Sequence, residues 1–253
     1  MTHLPRALAF ATAILAAGML HAGQVRVAVA ANMAAPLQKI AADFERATGH
    51  EVVPALGSTG RFYAQLRGGA PFEVLLAADD DIPTRLEREG LAVPGSRFTY
   101  AVGRLVLWSL DPHGVDPQGN VLKQLPRGKL AIADPRIAPY GAAAMQTLTH
   151  LGVLAAWQPA LVQGESIGQA FQFVASGNAS YGFVALSQVM SDGRIGRGSG
   201  WIVPAHYHAP IKQDVVLLNG GRTSAAALAF LEYLKSEPAR ATLRGFGYDV
   251  GRH

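Results

Sequence analysis

Short apolar runs alternate with helical apolar stripes along most of the chain. Val25 to Val29 reads as a strand, and Leu37, Ile40 and Phe44 then recur at the spacing of one helix face. Further strands are predicted over 51–55, 73–77, 105–108, 129–133, 181–185 and 215–218, and further helices over 62–67, 82–89, 142–151, 167–176 and after a cap at Ser224. This alternation predicts an α/β fold built from βαβ units with mainly parallel sheets.

Two stretches rich in glycine or proline, residues 111–119 and 191–200, interrupt the pattern. They are too short for flexible interdomain linkers and are predicted to be surface connections. We expect two α/β lobes, with residues 23–100 and 205–253 in lobe 1 and residues 101–204 in lobe 2. The chain would then cross between the lobes twice.

The first 22 residues have the layout of a secretory signal peptide. One cation, Arg6, precedes an apolar run over residues 7–20. A membrane anchor is the alternative, but the run is shorter than the roughly 20 residues that span a bilayer. We expect cleavage after Ala22 and export of a mature chain that begins at Gly23.

Composition narrows the function classes. With 49% hydrophobic and 16% charged residues the chain is globular, and its 22 Lys and Arg against 18 Asp and Glu form no basic cluster of the kind that binds nucleic acid. The absence of cysteine excludes thiol nucleophiles and thiolate metal sites. No His-Glu-x-x-His motif occurs either. These features predict a protein that is not an enzyme.

Four predicted helix starts carry small, donor-rich residues: 30–33, 57–60, 139–141 and 164–167. A helix N-terminus presents unpaired N–H groups and the positive end of the helix dipole, which favours an anion. Each start alone could be an ordinary helix cap. Together they indicate an anion site, and no glycine-rich phosphate loop accompanies them to favour a nucleotide.

Six motifs stand in one order along the chain: residues 29–32, 57–60, 69–74, 105–109, 133–135 with 139–141, and 182–185. In this order the chain resembles the periplasmic molybdate-binding proteins of ABC transporters, over nearly its whole mature length. The resemblance implies a type II periplasmic binding protein fold, two α/β lobes with a ligand cleft between them. It also implies a periplasmic monomer that binds molybdate or tungstate, needs no cofactor, and delivers the oxyanion to a membrane permease.

The resemblance further implies which positions contact the oxyanion: Ala31, Asn32, Ser58, Thr59, Tyr140 and Ile167. Tyr140 and Ile167 would act chiefly through backbone N–H groups. Ala185 stands where some members place a tyrosine hydroxyl, so that contact is open, and Tyr140 could fill the space. A dianion offers only acceptors, so backbone amides, a hydroxyl and an amide N–H can hold it without a counter-charge.

Two alternatives remain at this point. One is another oxyanion, such as sulfate, in the same fold. The other is a periplasmic metal-cation-binding protein that uses His206 and His208, which would face one side of a strand. Arg61 is expected on a solvated helix face, and residues 79–81 are expected at a helix start, where carboxylates suit the dipole better than they suit a metal cluster.

Overall fold

The computed structural model describes residues 22–191 and 193–251, so nearly all of the predicted signal peptide lies outside it. Twelve strands occur in these ranges: β1 (Gln24–Ala30), β2 (Glu51–Gly57), β3 (Val74–Leu76), β4 (Phe98–Gly103), β5 (Leu105–Ser109), β6 (Leu130–Ala133), β7 (Leu161–Gly164), β8 (Tyr181–Ala185), β9 (Met190–Ser191), β10 (Arg194–Ile195), β11 (Ser199–Ile202) and β12 (Ile211–Leu217). The predicted strands are all present, whereas β4, β7, β9, β10 and β11 are not in the sequence prediction.

The helices of the described ranges are α1 (Ala34–Thr48), α2 (Thr59–Arg67), α3 (Asp81–Arg88), α4 (Pro139–His150), α5 (Leu154–Trp157), α6 (Ile167–Ala175), α7 (Leu186–Val189), α8 (Ala225–Lys235) and α9 (Glu237–Gly245). The predicted helices are all present in the predicted order, whereas α5, α7 and α9 are not in the sequence prediction. Ser224 caps α8 as predicted, because its side chain accepts a hydrogen bond from the N–H of Ala227. No helix in the described ranges is long and apolar enough to cross a membrane.

Each lobe is built on one five-stranded sheet. The first has the order β2-β1-β3-β12-β4 and the second has the order β11-β5-β8-β6-β7. In the first sheet β1 is parallel to β2 and β3, but β12 is antiparallel to β3 and β4. In the second, β6 is parallel to β7 and β8, but β5 is antiparallel to β8 and β11.

The prediction of mainly parallel sheets is therefore wrong, because each sheet is mixed. The antiparallel pairs involve β4, β5, β11 and β12, which lie next to the passages between the two sheets and have no crossover helix to make them parallel. The first passage is at Arg104, and the second lies in residues 203–210. The first sheet reaches Gly103, past the expected boundary after residue 100, and the exact division of the lobes stays a prediction.

The apolar stripes predicted from the sequence face two main cores. In the first lobe Leu37, Ile40 and Phe44 of α1 are buried, and Phe44 packs edge-on against Phe230 of α8. In the second lobe Trp157 is fully buried and its indole N–H donates to the carbonyl of Leu122 at 2.8 Å. Burial of each large apolar side chain contributes about 1.5–3 kcal/mol, so each lobe holds a core of its own.

An ion pair between a buried carboxylate and a partly exposed arginine joins β12 to the segment that leads into β4. Asp214 is fully buried, and it accepts hydrogen bonds from the Arg97 guanidinium and from the Thr99 hydroxyl. A buried carboxylate without its cation is strongly destabilising. Arg97 therefore fixes the strand pair next to which the chain passes between the lobes.

We expect Arg97→Met to lower the free energy of unfolding by about 3 kcal/mol, because it leaves the Asp214 carboxylate buried without its cation. Chemical denaturation of the purified protein measures this. Lys39→Met is the matched control: Lys39 pairs with Asp43 on an exposed helix face, and its loss is expected to cost less than about 1 kcal/mol. Equal losses in the two variants would contradict the assignment.

Candidate functional site

The two predicted loops of the first lobe emerge side by side. β1 and β2 are parallel neighbours, with Ala30 opposite Gly57. Ala31 and Asn32 follow the first strand, and Ser58 and Thr59 follow the second. All four are buried, at 7%, 1%, 4% and 0% exposure respectively. The structure thus brings these four predicted residues together at one edge of the sheet.

Both hydroxyls at the N-terminus of α2 have a proton to donate. Thr59 Oγ1 accepts the N–H of Ala78 at 2.9 Å, so its own O–H remains available as a donor. Ser58 Oγ is buried and has no hydrogen-bond partner within the described part of the chain. A buried hydroxyl left in this state costs about 1–3 kcal/mol. Such an arrangement suits an acceptor that is not part of the protein.

The second lobe repeats this geometry. β6 and β7 are parallel neighbours with Ala133 opposite Gly164, and the chain continues from them toward α4 and α6. Tyr140 is the second residue of α4 and Ile167 the first of α6, and both are buried. The first N–H groups of a helix have no partner within the helix. Tyr140 and Ile167 therefore supply backbone donors at the edge of their own sheet.

The two edges meet in a closed cleft. The N–H of Gly60 donates to the carbonyl of Ile137 at 3.0 Å, and a Cβ on Gly60 would lie 2.9 Å from the Ile137 Cα. A Cβ on Gly168 would lie 3.1 Å from the Ala31 Cβ. The starts of α2 and α6 thus lie against the opposite lobe, and glycine is what permits the approach.

The side-chain amide of Asn32 faces protein groups. Its Nδ2 donates to Gln213 Oε1 at 2.8 Å and to the Tyr248 hydroxyl at 2.7 Å, which uses both of its protons. The side-chain oxygen Oδ1 is buried without a partner in the described part of the chain. The backbone carbonyl of Asn32 accepts a hydrogen bond from the Ser187 hydroxyl at 2.8 Å. The donor that Asn32 has left to offer is its backbone N–H, at the start of a short 3₁₀ turn.

The Tyr140 hydroxyl is also engaged inside the protein. It accepts a hydrogen bond from Gln213 Nε2 at 2.9 Å, and burial raises its pKa well above the usual tyrosine value. The backbone N–H of Ala185 donates to Gln188 Oε1 at 2.9 Å. Its side chain is a methyl group, so this position has no hydroxyl to donate to an oxyanion.

No lysine or arginine is buried anywhere in residues 22–191 and 193–251, so no buried cation accompanies the donor groups of the cleft. Arg61, expected on a solvated face, is exposed and forms an ion pair with Glu165 across the mouth of the cleft.

Asp79 lines a separate cavity of about 360 Å³. Burial, reinforced by the neighbouring carboxylates, raises the pKa of Asp79 to about 6.

The histidines expected as alternative metal ligands do not form a site. His206 lies in an exposed 3₁₀ turn and packs against the rings of His150 and Tyr207, and His208 Nδ1 contacts its neighbour's carbonyl at 2.8 Å. The expectation that they share one face of a strand is wrong. Across the described residues no three His, Cys, Asp or Glu side chains are placed to hold a metal ion.

One further pattern resembles a hydrolase motif. Gly164, Ser166 and Gly168 have the Gly-x-Ser-x-Gly spacing, and they lie between a strand and a helix. Ser166, however, has an extended backbone, with φ −149° and ψ 165°, and its hydroxyl accepts the N–H of Gln169 as an ordinary helix cap. The serine is therefore a capping residue and lacks the strained turn of a nucleophile.

Comparison with known proteins agrees with this geometry. The family "Bacterial extracellular solute-binding protein" matches residues 25–249. The chain is 54% identical over 240 residues to the molybdate-binding protein ModA of Azotobacter vinelandii, covering 93% of this chain and 95% of that one. It belongs to this family of solute-binding proteins. ModA of Rhodobacter capsulatus is 51% identical over 253 residues, covering 98% of this chain and 99% of the relative.

Solved structures confirm the predicted fold class. The periplasmic molybdate-binding protein of Azotobacter vinelandii superposes with a TM-score of 0.86 at 43% identity, over 90% of this chain and 100% of that one. The sulfate-binding protein SubI of Mycobacterium tuberculosis has a TM-score of 0.67 at 14% identity, over 90% and 86% of the two chains, which is a likeness of fold alone. The family consists of transport proteins, so the chain is not an enzyme, as expected.

We expect Gly60→Ala to hold the lobes apart, because the added Cβ would meet the Ile137 backbone at 2.9 Å. Small-angle scattering should show a larger radius of gyration than for the parent protein. Gly245→Ala is the matched control, since Gly245 is also helical and has no described atom within 4 Å of the added Cβ. An unchanged radius for Gly60→Ala would show that closure does not need a glycine there.

Proposed function

We propose that this protein captures molybdate, and also tungstate, in the periplasm and delivers it as a monomer to the membrane permease of an ABC importer. The oxyanion would contact Ala31, Asn32, Ser58, Thr59, Tyr140 and Ile167. The observation that carries the proposal is the buried Ser58 hydroxyl, which has no partner in the described chain and lies beside Thr59 where the lobes meet.

A dianion of this kind needs donors on every side, because its oxygens can only accept hydrogen bonds. The hydroxyls of Ser58 and Thr59 and the backbone N–H groups of the surrounding helix starts are such donors. Each hydrogen bond to a charged group contributes about 1.5–3 kcal/mol, so a handful supports tight binding without a lysine or arginine. The family membership and the closed cleft support the same conclusion.

Cavity size separates molybdate from sulfate. Molybdate and tungstate are nearly equal in size and larger than sulfate, so donors spaced for them cannot all reach the smaller anion. The lobes cannot close further to compensate, because Gly60 already contacts Ile137 and Gly168 already approaches Ala31. Each donor left without a partner costs about 1–3 kcal/mol. Phosphate often carries a proton, and a site that contains only donors has no acceptor for it, which disfavours phosphate.

Titration calorimetry with four oxyanions tests the proposal. We expect molybdate and tungstate to bind with micromolar or lower dissociation constants, and sulfate and phosphate to bind far more weakly. In thermal denaturation, molybdate at a hundred times its dissociation constant should stabilise the protein by about 2.7 kcal/mol. Equal affinities for molybdate and sulfate would contradict the size argument and favour the sulfate alternative.

Ser58→Ala tests the donor directly. We expect it to weaken molybdate binding about tenfold, because a hydrogen bond to a charged group is lost, while leaving the free protein at least as stable. Ser236→Ala is the matched control, since the Ser236 hydroxyl is likewise buried without a partner in the described chain but lies between α8 and α9. Calorimetry should show no change in molybdate affinity for Ser236→Ala. The same affinity in both variants would remove Ser58 from the site.

A further inference from the structure

Gln213 is a fully buried polar residue that the site described above does not use directly. It lies on β12, beside an irregularity in the pairing with β4. Its Oε1 accepts hydrogen bonds from Asn32 Nδ2 at 2.8 Å and from the Tyr100 hydroxyl at 2.9 Å. Its Nε2 donates to the Tyr140 hydroxyl at 2.9 Å. One amide therefore links two residues of the candidate site.

The two linked residues come from opposite lobes. Asn32 follows β1 of the first sheet, and Tyr140 belongs to α4, which packs on the second. The sequence also leaves room for the link: a Cβ at Gly103, on β4, would overlap the Tyr140 hydroxyl and would come within 2.5 Å of Gln213 Nε2. Gln213 thus lies where the strands pass between the lobes and touches one ligand-binding segment of each.

The two ends of the amide face different partners. The oxygen of Gln213 faces Asn32 Nδ2 and the Tyr100 hydroxyl, and its NH₂ group faces the Tyr140 hydroxyl. Stability alone does not require this network, because apolar groups of the same shape in place of all its hydrogen-bonding partners can be nearly neutral for stability. A directional link between two lobes, in contrast, sets a distance.

We propose that Gln213 is a positioning residue that sets the separation of Asn32 and Tyr140, and with it the size of the oxyanion cavity. This inference rests on the proposed function. It predicts that selectivity between molybdate and sulfate depends on a side chain that touches neither anion. Without the link the Asn32 and Tyr140 segments can adjust to a smaller guest, and the cost of unpaired donors that excludes sulfate decreases.

The test compares Gln213→Met, which keeps the length of the side chain but removes its hydrogen bonds, with the parent protein. Molybdate affinity is measured by calorimetry and sulfate affinity by competition. We expect the molybdate dissociation constant to rise about tenfold and the ratio of the sulfate to the molybdate constant to fall about tenfold, the size of one lost buried hydrogen bond. Tyr140→Phe breaks the same link from the other end and should lower the ratio similarly. The double variant should add little to either change.

Tyr100→Phe is the matched control, because the Tyr100 hydroxyl lies within hydrogen-bond distance of Gln213 and of the Ala77 carbonyl but is not one of the two site residues that Gln213 links. Its ratio should stay within about twofold of the parent, since Gln213 keeps both of its site partners. An unchanged ratio in a folded Gln213→Met protein would overturn the proposal, as would an equal fall in Tyr100→Phe. If Gln213→Met does not fold, the ratio for Tyr140→Phe decides. Failure of the parent to bind molybdate would instead refute the proposed function, and this inference with it.

Discussion

An anion that gives up its water must find N–H or O–H groups on every side, and this requirement governs the arrangement of the whole molecule. A single parallel sheet offers such groups along one edge only, where helices begin after its strands. Here two sheets turn these edges toward each other, so that the starts of α2 and α6 contact the opposite lobe. The donors are neutral, and Arg61, at the mouth of the cleft, is exposed and paired with Glu165.

Close approach of the lobes determines which residues stand at their contacts. Gly60 and Gly168 have no side chain to keep the backbones apart. Behind them, a connected set of amide and hydroxyl groups extends through Asn32, Gln213 and Tyr140. Beyond that set the buried Asp214 binds Arg97. Rigid support behind a cavity is what allows its size to select a ligand, since a soft cavity would contract around the smaller anion.

Local patterning accounts for much of the fold and for the candidate positions. The strand-helix pairs of the first lobe follow from apolar spacing. Asn32 and Ser58 are residue types typical of helix caps, although neither side chain caps a helix in the structure. Other features depend on distant partners. β11 is absent from the prediction because its glycine indicated a surface connection, although Gly200 pairs with Trp108. Asn32 meets its partners across 181 and 216 residues of sequence, a separation that no local pattern reveals.

A crystal structure of the protein with tungstate, located by its anomalous scattering, tests the central claim most directly. The account predicts one oxyanion between the lobes, with its oxygens within hydrogen-bond distance of the Ser58 and Thr59 hydroxyls and of backbone N–H groups from both lobes. No lysine or arginine side chain should touch it. An oxyanion held by a cationic side chain, or by residues of one lobe alone, would contradict the account.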